Sequence, residues 1–173
     1  MLALCYSVMA VDFKNSLRSA DSPGDRIFRE AGASDEAAVR EILKHANLSF
    51  TGAEKSPGAD STDIGSTVVH VCQQDGTVVA VVQWRNLGAE AEILDIAVAE
   101  KHRRHGNARF SLEKFLELVR QYGIRDVFLE VRESNFPAIA LYRKFGFFTS
   151  GRRPNYYPDP LEAAILLHLK IPG

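Results

Sequence analysis

The stretch EILDIAVAEKHRRHGNARFSLEKFLELVRQYGIRDVFLEVRESNFPAIALYRKFGF, Glu92 to Phe147, decides the fold. Its apolar run from Leu94 to Val98 reads as a buried strand. A polar loop, RRHGNAR (Arg103 to Arg109), comes next. Phe110, Leu112, Phe115, Leu116 and Val119 then mark a helix that Gly123 stops. That order places unpaired N–H groups at a helix start, just past a strand end, where they and the helix dipole face an anion such as a phosphate. A second strand, Val127 to Val131, carries one carboxylate, Glu130, in an apolar run. Alternation puts Phe128 and Glu130 on one face. Ser134, Asn135 and Pro137 then open a short helix that contains Tyr142 and ends in aromatic residues.

Upstream of this stretch the pattern is strand-rich. Arg26 to Ala31 reads as a first strand. A helix follows, with Ser34 as expected N-cap and Ala37, Val39, Ile42 and Leu43 on its apolar face, ending near His45 to Asn47. Thr51 to Thr67, rich in Gly, Ser and Thr, reads as a long loop of the kind that often carries function. Val68–Cys72 and Thr77–Trp84 flank an Asp75-Gly76 hairpin signal, and a turn at Asn86–Glu90 leads into the Ala91–Val98 strand. A three-stranded antiparallel meander is followed by strand, helix, strand, helix and a last strand at Ala163–Leu169. The expected fold class is therefore α+β with a mixed sheet.

A chain of 173 residues with 46% hydrophobic and 25% charged residues allows one domain with a sizeable core. A net charge of −1 provides no basic field for nucleic acid. Cys5 and Cys72 lie far apart and form no disulfide framework, so a reducing, cytoplasmic setting is the default expectation. The apolar start MLALCYSVMAV is much shorter than the roughly 20 residues that span a bilayer. Residues 1–24 read as a flexible N-terminal extension and 25–173 as the folded domain; a tail docked on the domain or on a second copy, or a start at Met9, are the other readings. The histidines do not cluster, and no metal is expected.

The combination of loop, Glu130 strand and Tyr142 helix resembles the GNAT family of acyl-CoA-dependent N-acyltransferases. That family's pyrophosphate signature Q/R-x-x-G-x-G/A stands here as Arg103-Arg104-His105-Gly106-Asn107-Ala108. LEVRESNFPAIALYRKFGF, followed by RRPNYYPDP, is similar to the ribosomal-protein-alanine N-acetyltransferase branch. The resemblance implies a mostly antiparallel sheet with splayed central strands flanked by helices, and acetyl-CoA as co-substrate. It also implies a primary amine as acceptor, most specifically the N-terminal α-amino group of a protein such as a ribosomal protein. A monomer or homodimer with no membrane or nucleic-acid partner is expected.

Within that resemblance, Arg103 to Arg109 hold the pyrophosphate, while Ile96, Ala97 and Val98 offer backbone to the pantetheine arm. The Val98 amide meets the acetyl oxygen, and Asn135 contacts CoA. Glu130 is the expected base: an α-amino group is largely an ammonium at neutral pH, and a carboxylate among apolar residues makes a useful proton acceptor. Tyr142, twelve positions later as in that branch, is the expected acid toward the thiolate. Tyr156 and Tyr157, expected in a loop, border the acceptor, and Asp159 and Glu162 are candidates for holding its positive charge.

Each assignment has a plainer alternative. The arginines form a solvated face, Asn135 is a helix cap, Glu130 pairs with Arg132 or a neighbouring strand, Tyr142 is core, and the tyrosines form an aromatic lid. The aromatic-proline-tryptophan stretch usual after the first helix of this branch is missing, which keeps a small amine or free amino acid in play as acceptor. A non-catalytic acyl-CoA-binding module is the third reading.

Overall fold

In this computed structural model the described residues are 17–18, 25–46 and 63–172. Most of the expected extension and most of the Thr51–Thr67 loop lie outside them. The strands are β1 (Leu17–Arg18), β2 (Arg26–Glu30), β3 (Thr67–Gln74), β4 (Thr77–Asn86), β5 (Glu90–Val98), β6 (Asp126–Arg132), β7 (Phe148–Pro158) and β8 (Leu161–Lys170). They form one sheet in the order β1-β2-β3-β4-β5-β6-β8-β7, in which only β5 and β6 run parallel. β1 was not expected: Leu17 and Arg18, assigned to the extension, pair with Phe28 and Ile27. The Asp75-Gly76 hairpin forms as read, both residues at positive φ (49° and 78°), which matches the right-handed twist of the flanking strands.

The sheet is covered on both faces by helices that follow the apolar periodicity. α1 (Glu36–His45) turns Val39, Ile42 and Leu43 onto Val69, Val71, Val81 and Ala97. α2 (Asn107–Gln121) and α3 (Phe136–Lys144) cover the other face, where Phe115, Leu112, Leu116 and Tyr142 meet Trp84, Ile93, Leu129 and Leu167. Gly123, at φ 74°, ends α2 as read. The start of α1 differs from expectation. Ser34 is not its cap; a 3₁₀ turn at Ala33–Asp35 precedes it. Asp35 is drawn inward instead, accepting Arg29 Nη1 at 2.6 Å, Arg29 Nη2 at 2.9 Å and Gly32 N at 2.7 Å. Arg29 holds this carboxylate below the usual aspartate range.

The decisive feature lies at the sheet's centre. β5 and β6 pair only through four rungs, Glu90–Asp126 to Ile93–Leu129. Beyond them both strands continue, to Val98 and Arg132, without pairing to each other. A bulge marks the parting: Trp84 of β4 opposes Ile93, Gln83 opposes Asp95, and Leu94 is the extra residue. Bulges bend the strand that carries them. Here the bulge also reverses the alternation, so that Ile93 faces the α2–α3 core while Asp95 lies with Gln83 and Ala97 on the α1 face.

The rings of Trp84 and Phe115 meet edge to face at 5.5 Å and 67°, both fully buried. Phe115→Ala is expected to cost about 3–5 kcal/mol. Urea unfolding followed by the fluorescence of Trp84, the single tryptophan, measures this.

Candidate active site

The parted strands expose backbone. Ala99 N donates to Val79 O of β4 at 2.9 Å, so by alternation Ala97 also turns its polar groups toward β4. The N–H and C=O of Ile96 and Val98 therefore point the other way, into the gap. The Val98 carbonyl already accepts Arg103 Nε at 3.2 Å. The Val98 N–H and both polar groups of Ile96 are left to face whatever enters.

The loop beside the gap is shaped by two left-handed residues, Arg104 (φ 63°) and Gly106 (φ 78°), the second being the residue before α2. The first-turn amides of Asn107, Ala108 and Arg109 are without helical partners there. Arg103, Arg104, His105 and Arg109 are exposed around them. Asn107 is the exception, buried at 1%. Its Nδ2 donates to His102 O at 2.9 Å, which cross-braces the loop. Arg26 braces the loop from β2, donating to His105 O at 3.1 Å. These free amides, the exposed arginines and the open strand edge fit a diphosphate followed by an amide-bearing arm. Among the described residues no group of His, Cys, Asp and Glu side chains forms a metal site.

Across the gap stands Glu130, the first β6 residue past the last rung. Its flanking residues Leu129 and Val131 are buried in the α2–α3 core, so Glu130 points to the opposite face with Phe128 and Arg132. Its partner is neither Arg132 nor another β6 residue but Arg153 of β7, whose Nη1 lies 2.6 Å from Glu130 Oε1. The reach passes over β8: Arg132, Ala164 and Arg153 form one row of the ladder, and Glu130, Leu166 and Gly151 form the row two along, on the same face. Tyr156 and Tyr157 lie on β7, not in a loop, and meet edge to face at 5.1 Å. A hydrogen bond to Glu130 raises the pKa of the Tyr156 phenol. Burial, and then the negative charge of Glu130, raise that of Tyr157. Arg132 lies 4.2 Å over the Tyr157 ring and donates to the Asp159 carbonyl at 3.0 Å and to Glu162 at 3.2 Å. Glu162 also accepts the Ser134 amide. Its carboxylate thus ties β8 to the end of β6 and the start of the loop that follows.

Tyr142 of α3 is 8% exposed, buried in the α2–α3 core with its ring against Phe147. Burial and then the nearby charge of Asp95 push its phenol well above the usual tyrosine range. Asn135 caps α3, its Oδ1 accepting Ala138 N at 3.2 Å. The residue missed in the sequence is Asp95. It is partly buried, hydrogen-bonded to Gln83 Nε2 at 3.4 Å, and burial pushes its carboxyl up to about 7. Its signal was the one used for Glu130, a lone carboxylate in an apolar run.

Comparison with known proteins agrees with this geometry. The model of the Acetyltransferase (GNAT) family matches residues 38–147, and this chain belongs to that family of acetyltransferases. It is 38% identical over 100 residues to the [Ribosomal protein bS18]-alanine N-acetyltransferase of Escherichia coli strain K12, spanning 57% of this chain and 68% of that protein. Over 85 residues, 49% of this chain and 51% of the relative, it is 36% identical to an N-alpha-acetyltransferase of Saccharolobus solfataricus. The crystal structure of the ribosomal-protein-S18-alanine N-acetyltransferase from Escherichia coli superposes with a TM-score of 0.70 at 28% identity, covering 86% of this chain and 96% of that one. Ard1 from Thermoplasma volcanium gives 0.71 at 27% identity, covering 86% and 99%. The expected fold with its splayed centre is observed, and the family is one of acetyl-CoA-dependent enzymes. No helix among the described residues is long and apolar enough to cross a membrane.

The raised Asp95 carboxyl predicts a stability signature. Between about pH 4 and 7 the folded chain holds a proton there that the unfolded chain has lost, so stability falls as pH rises through that window. Asp95→Asn removes the penalty. The variant should match the parent near pH 4 and exceed it at pH 8 by up to roughly 4 kcal/mol, at about 1.4 kcal/mol for each tenfold change in proton affinity. Paired thermal melts at the two pH values measure the difference.

Proposed function

We propose that this enzyme transfers the acetyl group of acetyl-CoA to the N-terminal α-amino group of a protein, a ribosomal protein being the first candidate, by direct attack of the amine. The observation that carries this reading is the gap between β5 and β6, with unpaired backbone on one side and Glu130 on the other. The similarity to bacterial and archaeal N-terminal acetyltransferases supports the acceptor class.

In this reading the amides of Gly106 to Arg109, with Arg104 and Arg109, bind the diphosphate. Ile96 and Val98 hold the arm by strand-like hydrogen bonds, and the Val98 N–H stabilises the carbonyl oxygen as charge develops on it. Ala97 carries the strand between them, and Asn135 fixes the start of α3 beside the arm. Glu130 faces the acceptor amine and takes a proton from it. Arg153 occupies that carboxylate in the resting enzyme, so an incoming ammonium exchanges with a guanidinium already in place. Tyr142 donates its proton to the departing sulfur. Tyr156 and Tyr157 wall the acceptor's first residue.

A thiol-release assay with acetyl-CoA against peptides and small amines tests the reading. Turnover should be highest with peptides bearing a free N-terminus; turnover confined to small amines would contradict it. In the same assay Glu130→Gln is expected to lower kcat by about 10²-fold or more with little change in acetyl-CoA affinity. Tyr142→Phe should slow thiol release, and an unchanged rate at every pH would remove it as the acid.

A further inference from the structure

We propose that Asp95 is a second proton acceptor of the acetyl transfer, taking the first proton from the acceptor ammonium and passing it to Tyr142 once the thiolate has left. The inference rests on the acetyl-transfer reading above and adds a residue and a proton route to it.

The chemistry asks for two acceptors. An ammonium sheds one proton before its nitrogen can attack and a second as the amide forms. The site holds two carboxylates on the α1 side of the parted strands, one on each lip. Glu130 is one residue beyond the last rung on β6, and Asp95 is two beyond it on β5. The bulge at Leu94 creates this arrangement, since without it Asp95 would share the core face of Ile93. The two carboxylates are held differently. Glu130 is ion-paired to Arg153, whereas among the described residues no lysine or arginine pairs with Asp95. Its hydrogen-bond partner is the neutral amide of Gln83, itself fully buried.

Asp95 and Tyr142 lie on opposite faces of the sheet, one on the α1 side of the parted strands and the other in the α2–α3 core. Where a sheet is continuous, main chain separates its two faces. Here it does not, and the charge of Asp95 is felt at the phenols of both Tyr142 and Tyr157. Among the described residues, the titratable or charged groups around the gap include Glu130 and Arg132 on β6, Arg153, Tyr156 and Tyr157 on β7, Tyr142 on α3, and Arg103 on the Val98 carbonyl. β4 contributes the neutral Gln83, and α1 presents Val39, Ile42 and Leu43 to this face. A carboxyl near 7 is close to the roughly 8 of an α-amino group, the match that favours proton transfer between them.

The steps balance. The ammonium gives one proton to the Asp95 carboxylate, which becomes a carboxylic acid. The freed nitrogen pair forms the C–N bond to the thioester carbonyl. The C–S bond breaks, and the sulfur takes the Tyr142 hydroxyl proton. The second nitrogen proton goes to Glu130 and on to solvent. Tyr142 recovers its proton from Asp95. The sum is amide, thiol and one released proton, with no oxidant or reductant involved.

Two measurements test this. The first is a carbon-13 titration of aspartate carboxyls in the acetyl-CoA complex, with Asp95 assigned by its loss in Asp95→Asn. A midpoint between about 6 and 8 is expected; a midpoint below about 5 overturns the proposal, whatever the acceptor. The second is kcat against pH with whichever acceptor, peptide or small amine, the parent enzyme turns over. Asp95→Asn should reduce kcat by about 10²-fold and remove the inflection near pH 7 on the acid limb, with acetyl-CoA affinity by calorimetry unchanged. Glu130→Gln should keep that inflection. If Asp95→Asn binds acetyl-CoA poorly, Asp95→Glu replaces it and should move the inflection while retaining turnover. An inflection unaltered by change at Asp95 overturns the proposal. Failure of the peptide acceptors alone overturns the N-terminal reading and leaves this test running on the amine.

Discussion

A backbone ladder that stops halfway governs this molecule. Buried N–H and C=O groups are normally paired, and leaving one unmet costs on the order of 1–3 kcal/mol. β5 and β6 satisfy this rule up to Ile93 and Leu129 and then abandon it, while remaining strands on their outer sides. The unmet groups line a slot that suits a ligand with amides of its own. The rest of the fold keeps the slot open: the Leu94 bulge bends one lip, β8 holds the other in a full antiparallel ladder, and α2 and α3 bury the core beneath.

The same opening explains the electrostatics. A closed sheet would isolate a carboxylate on one face from a phenol on the other. Where the strands part, the charge of Asp95 acts on the phenols of Tyr142 and Tyr157, and that of Glu130 on Tyr157. Their environments separate the two carboxylates: one rests against a guanidinium, the other against a neutral amide in a drier place. Divergent surroundings for paired acids commonly mark a division of labour in proton transfer.

What could be read in the sequence followed from local chemistry. Apolar periodicity found α2, Gly123 marked its end, Asp75-Gly76 marked the hairpin, and one carboxylate in VFLEV marked Glu130. Contacts set by topology were hidden. Arg153 meets Glu130 only because β8 lies between β6 and β7, and nothing near either residue announces that order. Tyr156 and Tyr157 were expected in a loop, yet they lie on β7, an exposed edge strand whose pairing with β8 is irregular between Arg153 and Tyr157 and where proline is tolerated. The face of Asp95 is set by a bulge that carries no glycine, so the local sequence does not announce it. Ser34 lost its capping role to a buried Asp35 held by Arg29, a tertiary pair that local propensity does not encode.

The central claim is that the open edge of β5 receives the co-substrate. Amide NMR of Ile96, Ala97 and Val98 during titration with acetyl-CoA tests it most directly. The Ile96 and Val98 amides should shift and gain protection from hydrogen exchange, while Ala97, turned toward β4, stays as it was. Saturating acetyl-CoA with no change at Ile96 and Val98 would contradict the account.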